Sequence, residues 1–339
     1  MRVAVALSGG VDSAVSALLL RWAGYDVVGV SFFHKYLNTD ASSVAQRLGI
    51  PYSRIDMSNV FQKNVVDYFI SEYLSGRTPN PCVYCNRRIK FGEFRKRALE
   101  LTGADFFATG HYASIIEVSG RRLIKKSQDS EYEQSYFLCY LTQDELKNTL
   151  FPLSTLTKSE VRKIAFAGNL PVNVNRSSRD VCFAQEGYRT LFSDTLARRG
   201  DIVDVEGRKI GEHNGIFNYT VGQRRGLKTA RGEPLYILRI ETERNRIVVA
   251  PKEMVYKKDI LVKDINYVAI EPPKTELRIQ CRIRYRQPEQ SATLFPLSET
   301  EAKIVFDEPV FAATPGQFAV FFSKDLLLGG GVIQSEGSG

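Results

Sequence analysis

A glycine-rich turn between an apolar strand and an amphipathic helix constrains the fold of this chain more than any other feature. Residues 2–7 (RVAVAL) are almost uniformly apolar, as expected for a buried strand, and residues 8–13 (SGGVDS) follow at once. Apolar side chains then recur at helical spacing from Val11 until Gly24, which suits a C-terminal cap. The chain therefore begins with a strand, a turn and a helix, the opening unit of an α/β fold.

The alternation of strands and helices continues through the first half of the chain. Apolar runs at 27–33 and 52–57 predict further buried strands, and 105–110 predicts another that feeds a loop. Asn86 is a suitable N-cap for a helix that leads to Gly103. This order predicts a parallel sheet with helices on both faces and right-handed connections.

The alternation of strand and helix patterns ends at about residue 197. Short β-rich runs at 235–250, 277–286 and 316–334 are separated by Gly, Pro and Asn, and they predict one or two small antiparallel β domains. A Gly/Ser-rich tail closes the chain at 337–339. We therefore expect three domains, at 1–200, 201–270 and 271–336.

Charge and targeting signals narrow the class of protein. The 339 residues include 46 Lys and Arg against 38 Asp and Glu, a formal net charge of +8 that suits a polyanionic partner. The N-terminus lacks the pattern of a signal peptide, and no apolar run approaches the ~18 residues that span a bilayer. The sequence predicts a cytoplasmic protein with no membrane partner.

The glycine-rich turn has the chemistry of a phosphate site. It lies where a helix N-terminus offers unpaired N–H groups, and Gly9 and Gly10 let the backbone form a concave nest of donors. The spacing and the lysine of a Walker loop are absent. The Ser8 and Ser13 hydroxyls add donors, and Asp12 beside a polyphosphate suits a Mg²⁺ ligand.

Three cysteines stand out. Cys82 and Cys85 are three residues apart just ahead of the predicted helix, where the helix dipole and the positive charge of the segment 87–90 should lower a thiol pKa. Cys182 is a third thiol. Taken alone, C-x-x-C also fits a zinc half-site or a redox pair, although no second ligand pair completes a zinc site. Cys139 and Cys281 are interpreted as buried apolar residues.

Two levels of family resemblance follow from these residues. The SGGVDS turn after the first strand resembles the loop of the PP-loop ATP pyrophosphatases, which cleave ATP to AMP and pyrophosphate by adenylating a substrate oxygen. Longer strings resemble one branch of that family, the tRNA-specific 2-thiouridylases, in the right order along essentially the whole chain. These strings are TPNPCVYCNRRIKF (78–91), ATGHYA (108–113), SRDVCFA (178–184), NYTVGQRRGL (218–227) and RYR (284–286).

The resemblance implies a fold and an activity. The fold is a PP-loop domain of the adenine nucleotide alpha hydrolase-like type, followed by a small β-rich central domain and a C-terminal β-barrel. The activity is ATP-dependent 2-thiolation of the wobble uridine of tRNA: the uracil C2 oxygen is adenylated and then replaced by sulfur. The implied partners are tRNA and a sulfur donor, such as a cysteine desulfurase or a relay protein.

Site residues carry over from the family by position. The resemblance implies an ATP site at Ala6, Leu7, Ser8, Gly9, Gly10, Val11, Asp12, Ser13, Phe32 and Gly110, with Asp12 on Mg²⁺. It implies tRNA contacts at Asn80, Pro81, Cys82, His111, Tyr132, Glu133, Gln134, Arg284, Tyr285 and Gln317. Cys85 takes the place of the nucleophile and Cys182 that of the persulfide carrier, and these two residues can also be found as a disulfide.

The chain departs from the commoner family pattern at Cys82, where many members have aspartate. The loss of that carboxylate leaves proton transfer unassigned. Members with Cys at this position have three thiols, here Cys82, Cys85 and Cys182, which could hold three irons of a [4Fe–4S] cluster and leave the fourth open for sulfide. The persulfide and cluster routes both stay open. Lesser departures are Tyr132-Glu133 in place of Lys-Asp, and Arg179 in place of Gln.

Other roles compete for some of these residues. His111, which follows a predicted strand, suits either an acid/base or a hydrogen-bonded structural histidine. A reader of single-stranded RNA needs arginine and aromatic platforms, and the β-rich half offers such side chains. They are Arg224, Arg225, Arg282, Arg284, Tyr285 and Arg286.

Two other functions remain as alternatives. One is a PP-loop ligase or amidotransferase that acts on a small molecule, which would not need three thiols. The other is a non-catalytic RNA-binding protein, against which the intact Asp12, Cys85 and Cys182 argue.

Overall fold

The computed structural model describes residues 1–173, 181–184, 187–192, 197–227 and 234–335. Arg179 and the Gly/Ser tail therefore lie outside the described residues. The chain forms two compact units. The first comprises Met1–Val65, Cys82–Phe183 and Lys324–Leu328, and the second comprises Val66–Pro81, Ala184–Ser323 and Gly329–Gly339.

The regular elements are as follows. The α-helices are α1 (Val11–Trp22), α2 (Ser42–Leu48), α3 (Ser58–Phe61), α4 (Asp67–Leu74), α5 (Pro81–Tyr84), α6 (Arg95–Thr102), α7 (Gln143–Lys147) and α8 (Lys158–Ala167). The first strands are β1 (Arg2–Ala6), β2 (Asp26–Phe33), β3 (Tyr52–Asp56), β4 (Phe106–Ala108), β5 (Ala113–Val118), β6 (Arg121–Lys126) and β7 (Thr149–Leu150). The later strands are β8 (Arg199–Val203), β9 (Lys209–Asn214), β10 (Tyr236–Glu241), β11 (Arg246–Ala250), β12 (Tyr256–Tyr267), β13 (Leu277–Arg282), β14 (Gln290–Pro296), β15 (Ala302–Phe311), β16 (Phe318–Ser323) and β17 (Leu326–Ile333).

The first unit is built on the predicted parallel sheet. Its five strands run in the order β3-β2-β1-β4-β7, and every neighbouring pair is parallel. Val3, Ala4 and Val5 of the central β1 are 0% exposed, so both faces of this strand are covered. One face packs on α1, α2 and α8. The α/β prediction for this half of the chain is confirmed.

The helix that carries the thiols begins earlier than Asn86. It starts at Pro81 as α5, continues as a π-helical segment at Cys85–Phe94 that is kinked at Gly92, and ends as α6 before Gly103. Proline is favoured in the first turn of a helix because it has no N–H to leave unpaired. Asn86 is not a cap: it is buried, and its Nδ2 donates to the Phe137 carbonyl at 3.0 Å.

The second unit contains two β structures. The smaller is a four-stranded sheet in the order β10-β11-β8-β9. Its two antiparallel hairpins lie side by side so that β11 pairs with β8 in parallel, a pairing absent from the small antiparallel domains that the sequence predicted. The sheet packs its apolar face around Ile237 and Ile247, both 0% exposed.

The larger β structure is the barrel that the family resemblance implied. Its strands follow the order β12-β15-β14-β13-β16-β17, and β17 pairs with β12 to close the ring. Closure needs glycine at the seam: a Cβ added at Gly329 would lie 2.2 Å from the Asn266 carbonyl oxygen. Among the described residues, no helix is long and apolar enough to cross a membrane.

Candidate active site

The phosphate loop joins β1 to α1 in the first unit. Gly9 has φ +72°, a conformation that favours glycine, and the Ser8 N–H donates to Ser13 Oγ at 3.0 Å. Gly10 precedes α1 in an extended conformation, and no described side chain caps that helix. The N–H groups of its first turn are therefore left to bind an anion.

Asp12 in this loop is paired with a lysine that sequence reasoning missed. The Lys158 Nζ lies 2.6 Å from both Asp12 carboxylate oxygens, and the Tyr112 hydroxyl donates to Asp12 Oδ1 at 2.8 Å. Lys158 is 7% exposed. The Asp12 carboxylate also raises the pKa of Tyr112, although burial is the larger cause, so Tyr112 remains a donor. Asp12 thus meets an internal cation in this structure, and a metal ion would have to compete with it.

Lys158 is held at the start of α8 by its neighbours. Thr157 and Glu160 form a capping box that fixes the first turn of the helix, and the Lys158 N–H donates to Asp129 Oδ2 at 2.7 Å. The ammonium also lies over the ring of Tyr132, 5.4 Å from its centroid. The T-x-x-E pattern at 157–160 was a visible signal for this helix start, but nothing local in the sequence links Lys158 to Asp12.

The segment that follows β4 joins the phosphate loop to the thiol-bearing helix. Gly110 packs so closely on the loop that an added Cβ would lie 2.8 Å from Asp12 C and 2.8 Å from Ser13 N. His111 is buried; its Nδ1 shares a 2.7 Å hydrogen bond with Thr109 Oγ1, and its ring lies 5.5 Å from that of Phe91. Burial, together with the Lys90 charge, lowers the pKa of His111 well below its usual value. His111 is therefore neutral at physiological pH.

All five cysteines are thiols in the described part of the chain. Burial is the main reason that the pKa of Cys85 rises to about 12, and the neighbouring Cys182 and Cys82 raise it further. The pKa of Cys182 is raised to about 11, mainly by desolvation and then by Cys82, and desolvation also raises that of Cys82. The expectation of lowered thiol pKa values is therefore wrong for this state, since desolvation outweighs nearby positive charge. The three thiols therefore act on one another electrostatically.

Lys90 is the cation that faces this thiol group. Its charge lowers the pKa of Cys82, Cys85 and Cys182, which opposes the desolvation described above. The wide turn of the π-helical segment brings residues four and five apart onto one face, and Lys90 is five residues beyond Cys85. Gly92 permits this geometry, because a Cβ there would lie 2.7 Å from the Arg87 carbonyl oxygen.

Cys182 is positioned by the aromatic side chain that follows it. Phe183 is 4% exposed and packs edge-on against Phe61, with 5.7 Å between ring centroids. Its ring is also 6.5 Å from that of Tyr36. Cys182 is exposed as a residue, although its surroundings desolvate the thiol enough to raise its pKa. An anchored ring beside an exposed residue suits a thiol that must meet a second protein or a reductant. The remaining two cysteines, Cys139 and Cys281, are buried at 0% and 1% exposure, as predicted.

The thiols do not form a preassembled ligand set for a metal. Across the described residues, no group of three or more His, Cys, Asp or Glu side chains is placed to hold a metal ion. The cysteines therefore do not fit a [4Fe–4S] cluster in this arrangement, and no step below depends on one.

The first unit also contains Phe32, expected at the ATP site, and Glu133 and Gln134, expected to contact tRNA. Phe32, at the end of β2, is half-buried and packs edge-on against Phe94 with 5.0 Å between centroids. Glu133 is buried, and its Oε1 accepts from the Ser135 N–H. Gln134 Oε1 accepts from the Tyr112 N–H at 3.0 Å, beside the Lys158 site. The 132–134 segment thus contacts Tyr112 and Lys158, the two residues that bind Asp12 of the phosphate loop.

The other residues expected to contact tRNA lie in the second unit. Gln317 Nε2 donates to the Thr78 and Pro79 carbonyls at 3.0 and 3.4 Å, and so holds the segment that leads to Asn80 and Pro81. Arg284 Nη2 donates to the Thr314 hydroxyl and to the Val221 carbonyl. Tyr285 follows it after the end of β13.

Three protein-family descriptions match successive parts of the chain. They are the tRNA methyl transferase HUP domain at 1–186, the tRNA methyl transferase PRC-barrel domain at 191–251 and the aminomethyltransferase beta-barrel domain at 257–333.

Full-length relatives are more specific. Two are named tRNA-specific 2-thiouridylase MnmA. The protein from Halothermothrix orenii is 39% identical over 357 residues, 99% of each chain. That from Moorella thermoacetica is 42% identical over 353 residues, 98% of this chain and 99% of the relative. A relative from Clostridium botulinum strain Langeland, named MnmA 2, is 40% identical over 346 residues, 98% of each chain.

Proposed function

The chain belongs to the tRNA-specific 2-thiouridylases, and we propose that its phosphate loop and its three clustered thiols perform the two halves of tRNA thiolation. The enzyme uses ATP to activate the C2 oxygen of the wobble uridine and replaces that oxygen with sulfur. The products are 2-thiouridine in tRNA, AMP and pyrophosphate.

One observation carries the assignment of residues. The segment 109–111 contacts the phosphate loop through Gly110 and the thiol-bearing helix through His111. An activated nucleotide and an attacking sulfur need to meet within a few ångströms, and a shared wall is the simplest way to fix their separation. This arrangement supports a role for the loop and the thiols in one reaction.

The phosphate loop supplies the first half-reaction. The uncapped first turn of α1 and the Lys158 ammonium offer positive potential to the phosphates of ATP. When the uracil oxygen attacks the α-phosphorus, charge accumulates on the departing pyrophosphate, and Lys158 can neutralise it. We propose that Asp12 is thereby released to hold Mg²⁺.

Sulfur transfer forms the second half-reaction. A sulfur donor first places a sulfane sulfur on Cys182, and that outer sulfur attacks the activated C2 carbon and displaces AMP. Cys85 Sγ then attacks Cys182 Sγ, so the bond between the two sulfurs breaks and its electrons form the thiocarbonyl. The result is a Cys85–Cys182 disulfide, which a thiol reductant must reduce before the next turnover.

The raised thiol pKa values add a condition to this sequence. With a pKa of about 12, Cys85 is almost entirely a thiol at neutral pH, so it does not attack before its proton is removed. Lys90 is the group that favours the thiolate in this cluster. A neutral His111 can share a hydrogen bond but does not supply a cation here.

The family descriptions name methyl transfer, whereas the relatives are named for thiolation. The residues favour thiolation, because three neighbouring thiols serve sulfur relay and a methyl transferase does not need them. The alternatives of a small-molecule ligase and a non-catalytic RNA-binding protein do not account for the combination of a phosphate loop and the thiol group.

The test is a paired measurement on an unmodified tRNA transcript with a uridine at the wobble position. Wild-type protein with ATP, Mg²⁺ and a persulfide donor should yield 2-thiouridine by mass spectrometry together with AMP. Asp12→Ala should abolish both products while tRNA binding is retained. AMP formation without any thiolated nucleoside, in the presence of a competent donor, would contradict the assignment.

A further inference from the structure

A basic cavity in the second unit has no role in the reaction described above. It measures about 580 Å³, within the range of ligand pockets, and it lies beside the four-stranded sheet. Its lining consists of Arg189, Asn218, Tyr219, Gln223, Arg225 and Gly226. Two guanidinium groups, two side-chain amides and a phenol make this lining rich in hydrogen-bond donors, and none of its residues is acidic.

Within the described parts of the chain, the arginines at this cavity have no acidic partner, unlike two arginines of the four-stranded sheet. Among the described residues, Arg189, Arg225 and the adjacent Arg224 form no ion pair. By contrast, Arg239 and Arg246, on β10 and β11, are both paired with Glu241. Guanidinium groups that form no ion pair with a described residue, and that line one cavity, favour an anionic ligand from outside the chain.

The loop that carries Arg224 and Arg225 is built rigidly. The Gly222 N–H donates to the Ile237 carbonyl at 2.8 Å, and the Gln223 carbonyl accepts from the Ile237 N–H at 3.0 Å. The Gln223 side chain accepts from the Thr220 N–H at 3.1 Å and donates to the Arg225 carbonyl at 2.8 Å. This bonding fixes the turn before any ligand binds.

The opposite side of the cavity is also held in place. Arg189 lies in a short 3₁₀ helix at Tyr188–Leu191, and its Nη2 donates to the Asn218 carbonyl at 3.4 Å. The Tyr188 hydroxyl donates to the Phe217 carbonyl at 3.3 Å. Arg189 and Tyr219 both line the cavity; burial raises the pKa of Tyr219, and the Arg189 charge opposes that rise. The cavity thus presents guanidinium groups from two separate segments.

We propose that this cavity binds phosphates of the tRNA sugar–phosphate backbone. The inference rests on the proposed function, and it assigns to the small sheet a contact with RNA outside the reaction centre. Guanidinium groups bind phosphate oxygens in bidentate geometry, and amide and phenol donors can reach the remaining oxygens or a ribose hydroxyl. Such contacts position the substrate and carry no base specificity.

The experiment compares Arg189→Gln and Arg225→Gln with a matched control, Arg239→Gln, which removes the same charge from an arginine that is already paired. The dissociation constant of an unmodified tRNA transcript is measured between about 0.05 and 0.3 M salt. Losing one phosphate contact lowers the slope of log affinity against log salt by about 0.9, which corresponds to about 8-fold weaker binding at 0.1 M. Arg225→Lys should restore the salt slope because the charge returns, but only part of the affinity because lysine cannot make a bidentate contact.

Further readouts separate this site from the reaction itself. The KM for ATP and the rate at saturating tRNA should be unchanged in both variants, and circular dichroism should confirm that they are folded. If the variants bind tRNA with the slope and affinity of Arg239→Gln, the proposal is overturned. If the KM for ATP rises while tRNA binding does not change, the anion is a free nucleotide and the proposal is also overturned. Neither outcome affects the assignment of thiolation, which the wild-type products test.

Discussion

The Lys158 ammonium lies 2.6 Å from each oxygen of the Asp12 carboxylate, although the two residues are 146 positions apart. The contact joins the phosphate loop to the start of α8 and closes the first unit around its nucleotide site. An ion pair this short, with Lys158 buried, keeps Asp12 from acting as a vacant metal ligand. The ion pair also holds the Lys158 ammonium at the phosphate loop, where the phosphates of ATP would bind.

Replacing Lys158 should therefore affect catalysis more than folding. Lys158→Met is expected to lower tRNA-dependent AMP release by at least about 100-fold, because the cation that meets the developing pyrophosphate charge is lost. The cost in stability should be about 1–3 kcal/mol, since Asp12 retains the Tyr112 hydroxyl and partial access to solvent. Lys163→Met, at an exposed position of the same helix, is the control. Equal AMP release by the two variants would rule out this role for Lys158.

A substitution at Gly110 tests whether the segment 109–111 fixes the phosphate loop relative to the thiol-bearing helix. The added methyl of Gly110→Ala would lie 2.8 Å from Asp12 C and 2.8 Å from Ser13 N, so the loop has to shift. A displacement of about 1 Å at a catalytic group costs on the order of 100-fold in rate. Adenylation should fall by that factor while tRNA affinity is kept. Gly103→Ala, where nothing lies within 4 Å of the added methyl, should cost only the strain of its φ of +61° and leave the rate unchanged.

The parallel sheet and its loop were predictable because the information is local. A run such as RVAVAL favours a strand whose apolar side chains are buried, and two consecutive glycines before a helical pattern favour the turn. The predicted start of the thiol-bearing helix was wrong, because Asn86 has the residue type of an N-cap when its local sequence is considered alone. Its amide is instead used by the distant Phe137 carbonyl, a tertiary contact that no local pattern encodes.

Motifs in the sequence indicate the residue types of the candidate site, but they do not indicate its electrostatics. The cysteines and the loop came from motifs, whereas Lys158 is brought to Asp12 only by the packing of α8 on α1. The sign of the thiol pKa shifts was also wrong, because sequence shows nearby charges but not burial. The parallel pairing of β8 with β11 likewise depends on how two hairpins meet, which strand patterns do not record.

The raised thiol pKa values predict the pH dependence of alkylation. The pKa of the Cys182 thiol is raised to about 11 by desolvation and by Cys82, so its thiolate fraction should rise about tenfold per pH unit from pH 7 to 9.5 without levelling. An ordinary thiol, with a pKa of about 8.5, begins to level within that range. Iodoacetamide labelling of Cys182, followed by peptide mass spectrometry, measures the rate. Levelling near pH 8.5 in the folded protein would contradict the shift.

The Lys90 charge limits the rise in the pKa of Cys182. Since its charge lowers the pKa of Cys182, Lys90→Gln should raise the pKa and slow labelling at pH 8 several-fold. Lys96→Gln removes the same charge at an exposed position of α6 and is the control. If both variants label at the wild-type rate, Lys90 does not act on the thiol group.

Cys82 distinguishes the two sulfur chemistries left open by the sequence. In the persulfide route only Cys85 and Cys182 exchange sulfur, so Cys85→Ser and Cys182→Ser should each lose thiolation by at least about 1,000-fold while AMP release continues. Cys82→Ser should keep most of its thiolation when a persulfide donor is supplied. Because Cys82 raises the pKa of both other thiols, this variant should also label faster at Cys182. The measurements are 2-thiouridine by mass spectrometry and AMP release for all three variants.

A cluster would give a different pattern for the same proteins. With Cys82, Cys85 and Cys182 each holding an iron, Cys82→Ser would lose iron and thiolation together in an anaerobic preparation, even with a persulfide supplied. The described side chains offer no group of three ligands placed for a metal, so we expect the persulfide pattern. Full thiolation by Cys182→Ser would contradict both routes, since either one needs that sulfur at every turnover.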